Sequence, residues 1–472
     1  MIDELRAIVG AKNLLTGDDM ASYAHDWSGK YTFTPLAVTR PADAQEIGAI
    51  LRLANKTGTP VVPMAGNTGL AGGTYGEGAI IVSLERMTAI REIRKTARIA
   101  IVEAGVILSD LHEACAAQDM IFPLTFGARG SARIGGCLAT NAGGSNVLRY
   151  GNTRDLCLGL EVVLPSGEVM EIMSELHKDN SGYNLKHLMI GAEGTLGIIT
   201  AAVLKLHPKP RAYATAMVAA PDLPSALSLL NRLQEETGGA VEAFEYMPRN
   251  YIEGHIARGK SMGTPAPEPF DAPYDVNILV EVAATAPRDA DAGPDGQTPL
   301  AAHLEEVLGA LLDSGEVLDA VIAQNEAQRA QMWERREAAA EISMARQPIQ
   351  LNDIAVPLDR VADFLTCADA AVARLDGDAR SITVAHLGDG NVHYSVWPSH
   401  DAPDHIDAIM EAVEEVALSM GGSFSAEHGI GITKKPSMAR RKNAASIGAM
   451  RAIKAALDPN GILNPGKVLP DA

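Results

Sequence analysis

Cysteine is scarce, with 4 in 472 residues. Cys115, Cys137, Cys157 and Cys367 form no C-x-x-C pair, which excludes a disulfide framework and the ligand spacing of an iron–sulfur cluster. Reduced, mostly buried thiols are expected. Basic charge is also short: Lys plus Arg is 40 against 59 for Asp plus Glu, a net charge of −19. A protein that tracks nucleic-acid phosphates needs the opposite sign, so no nucleic-acid partner is expected. No apolar run approaches the roughly 18 residues of a membrane span, so no transmembrane segment is expected. The start, Met1-Ile2-Asp3-Glu4-Leu5, lacks the basic n-region and apolar stretch of a secretory signal, and a cytoplasmic location follows as the default. Neither a Walker A sequence nor a G-x-G-x-x-G turn is present, and no haem motif.

What is there is a chain that is 47% apolar and 21% charged, enough to bury a sizeable core without staples. Short strands alternate with helices through the first two hundred residues. Leu36–Thr39 leads into a helix starting at Pro41, followed by the strand Pro60–Pro63. The runs 79–84 and 99–102 and a helix near 108–118 continue the pattern, and 158–164 with 169–172 looks like a hairpin. Beyond about 210 the order becomes β-α-β…β-α-β, which suits a ferredoxin-like α+β domain. The Pro/Asp/Gly-rich stretches 261–275 and 285–299 suit surface loops.

Glycine, 44 in all, is unevenly placed. One cluster is Pro63-Met64-Ala65-Gly66-Asn67-Thr68-Gly69-Leu70-Ala71-Gly72-Gly73-Thr74. A second runs from Gly127 through Ser131, Gly135-Gly136 and Asn141-Ala142-Gly143-Gly144 to Tyr150-Gly151. The third is Gly191-Ala192-Glu193-Gly194-Thr195-Leu196-Gly197. Glycines let successive backbone N–H groups form a concave nest for phosphate oxygens. Three such loops beside strands favour a large phosphate-bearing ligand that passes all of them.

These motifs resemble the FAD-binding domain of the vanillyl-alcohol-oxidase (PCMH-type) superfamily, and more closely its D-lactate / D-2-hydroxyglutarate dehydrogenase branch. The resemblance runs from Pro41 to Asn464-Pro465-Gly466-Lys467. It implies an α+β protein with a PCMH-type FAD-binding domain of two α/β subdomains and a ferredoxin-like cap domain for substrate. The implied FAD contacts are Pro63, Ala65, Gly66, Asn67, Thr68, Gly69, Gly72, Gly73, Gly127, Ser131, Gly135, Gly136, Asn141, Gly143, Gly144, Tyr150, Gly194, Gly197, Ile199 and Asn464. The 63–74 loop holds neither His nor Cys, so the FAD is expected to be non-covalent. The expected division is 1–208 for FAD, 209–420 for the cap, and 421–472 returning to the FAD side.

A second constellation is Ala385-His386-Leu387-Gly388-Asp389-Gly390-Asn391-Val392-His393. With Asp389-Gly390 as a two-residue turn, His386 and His393 are expected directly opposite one another, close enough to share a divalent metal. Downstream, Glu427 and His428 are expected on a strand and on opposite sides, giving one metal ligand and one free acid–base group. The resemblance agrees. It implies that His386, His393 and Glu427 bind the metal, commonly zinc, and that His428 is the catalytic base. It further implies that Arg336, in Trp333-Glu334-Arg335-Arg336-Glu337, holds a substrate carboxylate.

Three positions depart from the 2-hydroxyglutarate pattern. Ala340 and Leu351 stand where a Thr and a Lys help bind a distal carboxylate, and Ser395 stands where an Asn is usual. The expectation is an FAD-dependent D-2-hydroxy-acid dehydrogenase acting on a D-lactate-like acid or one with an apolar tail, with D-2-hydroxyglutarate as the alternative. Electrons would pass to an external acceptor (electron-transfer flavoprotein, quinone or cytochrome), and a homodimer is expected. A metal-dependent hydrolase would leave the glycine loops unexplained. A flavin-binding protein without turnover would have no use for the histidines.

Overall fold

The first sheet forms where short, mostly apolar runs flank an amphipathic helix. In the computed structural model, which describes residues 1–294 and 296–471, Ala37–Thr39, Ile80–Ser83 and Val61–Met64 lie parallel in that order, with Leu14–Leu15 antiparallel at the edge. The crossover helix is Ala44–Thr57, three residues later than Pro41 suggests. Its start is set by the N-cap Asp43, whose side chain accepts from the Glu46 N–H, while the Glu46 carboxylate reaches back to the Ala42 N–H. Gly58, in the left-handed region at φ 67°, ends it.

A second, antiparallel sheet runs in the order Ile90–Arg94, Ile99–Glu103, Ile198–Lys205, Cys157–Val163, Val169–Ile172. One core joins both sheets through Ile47, Ile50, Leu51, Ile80, Val102 and Leu160, each fully buried. Each such side chain contributes about 1.5–3 kcal/mol relative to exposure. These elements make up one compact unit, residues 1–143, 150–209 and 427–472, of which residue 472 lies outside the described residues.

The second unit comprises residues 144–149 and 210–426. Its seven-stranded sheet runs Asp319–Ile322, Ala212–Ala220, Val276–Ala284, Val241–Pro248, Arg380–His386, Asn391–Trp397, Gln350–Ala355. The first four follow the fourth–first–third–second order of a split βαβ pair, the ferredoxin-like arrangement. The later hairpin and its partner strand extend that sheet. Helices Leu223–Glu236, Pro299–Ser314, Val361–Leu375 and Pro403–Ser419 bury one face. Helices Arg249–Met262 and Glu326–Glu337 pack on the other. Among the described residues no helix is long and apolar enough to cross a membrane.

Candidate active site

In the first unit the three glycine loops come together. A Cβ on Gly66 would overlap the Ser131 carbonyl, so only glycine lets the first loop lie against the second. Ala65 faces Gly136, and Pro63 packs on Gly194 of the third loop. Asn67, at φ 50°, donates to the His25 carbonyl at 2.9 Å and accepts from Thr74 Oγ1 at 2.7 Å. Asn141 accepts from the Arg154 N–H at 2.9 Å and is also left-handed. Asn464 donates to the carbonyls of Gly73 (3.2 Å) and Glu193 (2.7 Å), tying the first loop to the third.

Gly69 and Gly127 border open space. The buried Oδ1 of Asn464 has no hydrogen-bond partner among the described residues. A polar cradle with an orphaned acceptor suits a ligand rich in phosphate and hydroxyl groups, so the residues fit FAD. Gly197 and Ile199 have a packing role as well, at the start of the Ile198–Lys205 strand against Val162. Tyr150 sets its ring edge on His207, and Gly143 falls in this unit while Gly144 opens the short 144–149 piece of the other.

Glu427 and His428 lie in bends rather than on the expected strand. Glycines lie on either side of the pair, at 422 and 429, and favour a turn over an extended strand. Ala426 just before it donates to both the carbonyl and Oδ2 of Asp353, each at 3.1 Å.

In the second unit the hairpin is as expected in kind but not in register. His386 pairs with Asn391, and His393 pairs with Val384. Leu387-Gly388-Asp389-Gly390 form the connection, whose Asp389 and Gly390 N–H groups both donate to the His386 carbonyl at 3.2 Å. A two-residue Asp-Gly turn needs positive φ at both residues, and only Gly390 has it (79°). The Asp389 carboxylate caps the Asn391 N–H at 3.0 Å instead. The shift of two keeps both histidines on one face as diagonal neighbours, with ring centroids 5.4 Å apart.

Beside them lies a side chain that the sequence did not flag. Glu245, 1% exposed, sits opposite His386 on the neighbouring strand. Its carboxylate accepts from Arg336 Nε at 2.7 Å and from His386 Nδ1 at 2.9 Å. Burial alone would push the Glu245 carboxyl up, but His386 and Arg336 outweigh it and hold it below the ordinary range. Because a carboxylate only accepts, His386 carries a proton on Nδ1, and its Nε2 lies 3.4 Å from Arg336 Nη2.

Arg336 is no solvated helix residue, being 7% exposed. It is aimed by its helix, which Glu281 clamps to the sheet. Glu281 accepts from Arg329 at 2.7 and 2.8 Å, from Trp333 Nε1 at 2.8 Å and from Thr215 Oγ1 at 2.6 Å. Two further polar residues border the histidines. Asp353, buried, pairs with His393 across the strands, Oδ1 to Nδ1 3.9 Å. Asn391 donates to Asp353 Oδ1 at 3.1 Å, and its own buried Oδ1 has no partner among the described residues. Imidazole, carboxylate and an orphaned amide oxygen are a donor set that fits a divalent cation. Leu351 is 41% exposed and lies opposite the buried Ser395.

The sequence matches two family models: an FAD binding domain over residues 35–173 and the C-terminal domain of FAD linked oxidases over residues 209–468. A D-2-hydroxyglutarate dehydrogenase of Xanthomonas citri pv. viticola is 36% identical over 95% of this chain and 92% of its own length. The mitochondrial D-2-hydroxyglutarate dehydrogenase of Bos taurus is 35% identical, over 99% and 82%. The D-2-hydroxyglutarate–pyruvate transhydrogenase of Saccharomyces cerevisiae is 31% identical, over 96% and 90%. Among solved structures, p-cresol methylhydroxylase superposes with a TM-score of 0.74 at 15% identity, over 100% of this chain and 96% of that one. Alkyldihydroxyacetonephosphate synthase gives 0.71 at 18%, over 99% and 85%. At such identities these two share the fold alone. With both family models matched and relatives above 30% identity along nearly its whole length, the chain belongs to the FAD-linked oxidase family and is an FAD-dependent oxidoreductase.

Proposed function

We propose that the protein oxidises a D-2-hydroxy acid to the 2-oxo acid, with D-2-hydroxyglutarate as the first substrate to test. The observation that supports this is a guanidinium and an imidazole oriented by one buried carboxylate, Glu245, on a sheet face. Full-length similarity to D-2-hydroxyglutarate dehydrogenases supports the diacid over a D-lactate-like acid.

Arg336 spends its Nε on Glu245 and sets its Nη2 beside the His386 ring (3.3 Å), so that Nη1 is the nitrogen offered to the substrate carboxylate. His428 serves as the base that takes the hydroxyl proton. His386, His393 and Glu427 would hold a divalent cation, zinc being the proposed metal, with Asp353 and Asn391 beside the histidines. Such a cation would supply Lewis acidity toward the hydroxyl oxygen. FAD held non-covalently by the glycine loops would supply the hydride-accepting ring. Electrons then pass to an external acceptor. The yeast relative's name adds a 2-oxo acid to the candidates of electron-transfer flavoprotein, quinone and cytochrome.

A second substrate is favoured by Ala340 and Leu351, which offer no polar group to a distal carboxylate: a monocarboxylate with a small or apolar tail. Anaerobic titration of the yellow protein with D- and L-2-hydroxy acids decides between them. D-2-Hydroxyglutarate is expected to bleach the flavin at the highest rate, with bleaching lost after chelation and in His428→Ala. Equal bleaching by L acids, or bleaching that survives full metal removal, would sink the proposal.

A further inference from the structure

Four consecutive backbone N–H groups just beyond His428 are gripped by two of the glycine loops. Glu193 accepts from Ile430 N–H at 2.7 Å through Oε1 and from Gly431 N–H at 2.8 Å through Oε2. The Ala71 carbonyl accepts from Ile432 N–H at 2.9 Å and from Thr433 N–H at 3.2 Å. Ala71 belongs to the 63–74 loop and Glu193 to the 191–197 loop. The approach is so close that a Cβ on Gly431, at φ 51°, would overlap the Ala71 oxygen.

Glu193 is itself held in place. Its backbone is left-handed, φ 51°, an uncommon conformation for a residue with a side chain. Its N–H donates to the Ala139 carbonyl at 2.8 Å, and its carbonyl accepts from Asn464 Nδ2 at 2.7 Å. A carboxylate presents an acceptor at both oxygens, whereas a glutamine places a donor at one of them. Strain at this residue, two orphan-preventing bonds and a fixed backbone together describe a clamp, not a surface acid.

We propose that Glu193 is a positioning residue that locks the His428 turn to the loops assigned to FAD, so that one set of loops places both cofactor and base. The functional part rests on the assignment of His428 as the base. A purely structural Glu193 would affect stability and flavin content together, without a selective effect on the reaction.

The test compares the FAD-loaded wild type with Glu193→Gln and Glu193→Ala. Glu193→Gln is expected to keep its flavin, while the Ile430 and Gly431 amides exchange about tenfold faster or more. The limiting rate of anaerobic flavin reduction by the hydroxy acid should fall about 30-fold, with substrate affinity changed by less than about threefold. Glu193→Ala should lower the rate further at the same affinity. Unchanged exchange at Ile430 and Gly431, a reduction rate within about threefold of wild type, or flavin loss that matches the rate loss would each overturn the proposal. If no 2-hydroxy acid reduces even the wild type, the substrate assignment falls instead, and the exchange contrast alone decides whether Glu193 holds the turn.

Discussion

The two units offer ligand-binding chemistry made of different material. In the first, the proposed FAD cradle is mostly backbone, glycine loops and left-handed asparagines, with one orphaned side-chain amide oxygen. In the second, the proposed substrate site is made of charged side chains sunk into a sheet face, with Glu245 between Arg336 and His386. The difference follows from what is being bound. A dinucleotide presents many oxygens over a long path, and a fixed array of N–H groups meets them without carrying charge. A small hydroxy acid presents a carboxylate beside one reacting carbon, so a few side chains must be aimed and held.

Substitutions that attack one material and spare the other test this contrast. The largest effect is expected for Glu245→Ala, which strands a guanidinium and an imidazole in a buried site. Breaking such a pair costs about 3–5 kcal/mol of stability, read by urea denaturation. Flavin reduction should drop at least about a hundredfold, since substrate grip and ligand orientation are lost together. Flavin content should stay near wild type, and its loss would break the contrast. The converse variant is Gly66→Ala, where the added methyl meets the Ser131 carbonyl. Overpacking of this kind costs about 1–3 kcal/mol, so flavin affinity should weaken by about tenfold or more in equilibrium fluorescence titration.

The smallest effect concerns Asp376, whose partners are Ser399, Asp378 and His405 rather than the hairpin histidines. Desolvation opposes its ionisation, but bonds from the Ser399 and Asp378 N–H groups and His405 outweigh it and hold the carboxyl well below the usual range. The folded form therefore binds this proton less readily than the unfolded chain does. Its stabilisation is complete above about pH 4 and fades as pH falls further. Asp376→Asn should flatten the acid limb of a Tm-against-pH curve and leave flavin content unchanged.

Much of this was legible in the chain because it is local. Glycine clusters and a His-x6-His pattern announce themselves within a dozen residues, and the resemblance they carry reached nearly the whole length. The hairpin register differs from the expected one because Asp389-Gly390 has the composition of a two-residue turn, while the Asp389 carboxylate is committed to capping Asn391. The roles of Glu245 and Glu193 have no local signature because their partners lie far off in sequence. Glu245 reaches residues 91 and 141 positions away, and Glu193 reaches 237 and 238. A signal did exist: Glu245 within the apolar stretch Ala243–Met247, and Glu193 between the glycines of the third loop. Buried acids in such settings need partners, but the sequence does not say which.

The tie made by Asn464 has a consequence for biosynthesis. Its partner Gly73 lies 391 residues earlier, and alongside it the Val61 N–H donates to the Ile462 carbonyl while the Asn464 N–H donates to that of Val61. The edge of the first sheet is therefore completed only by residues translated after the entire second unit. On the ribosome the inserted unit can assemble first, while the surrounding one waits with an open strand edge, exposed to chaperones and to misassociation. Ordering of the glycine loops is then a late event in the protein's making, after which the cofactor has a complete place to bind.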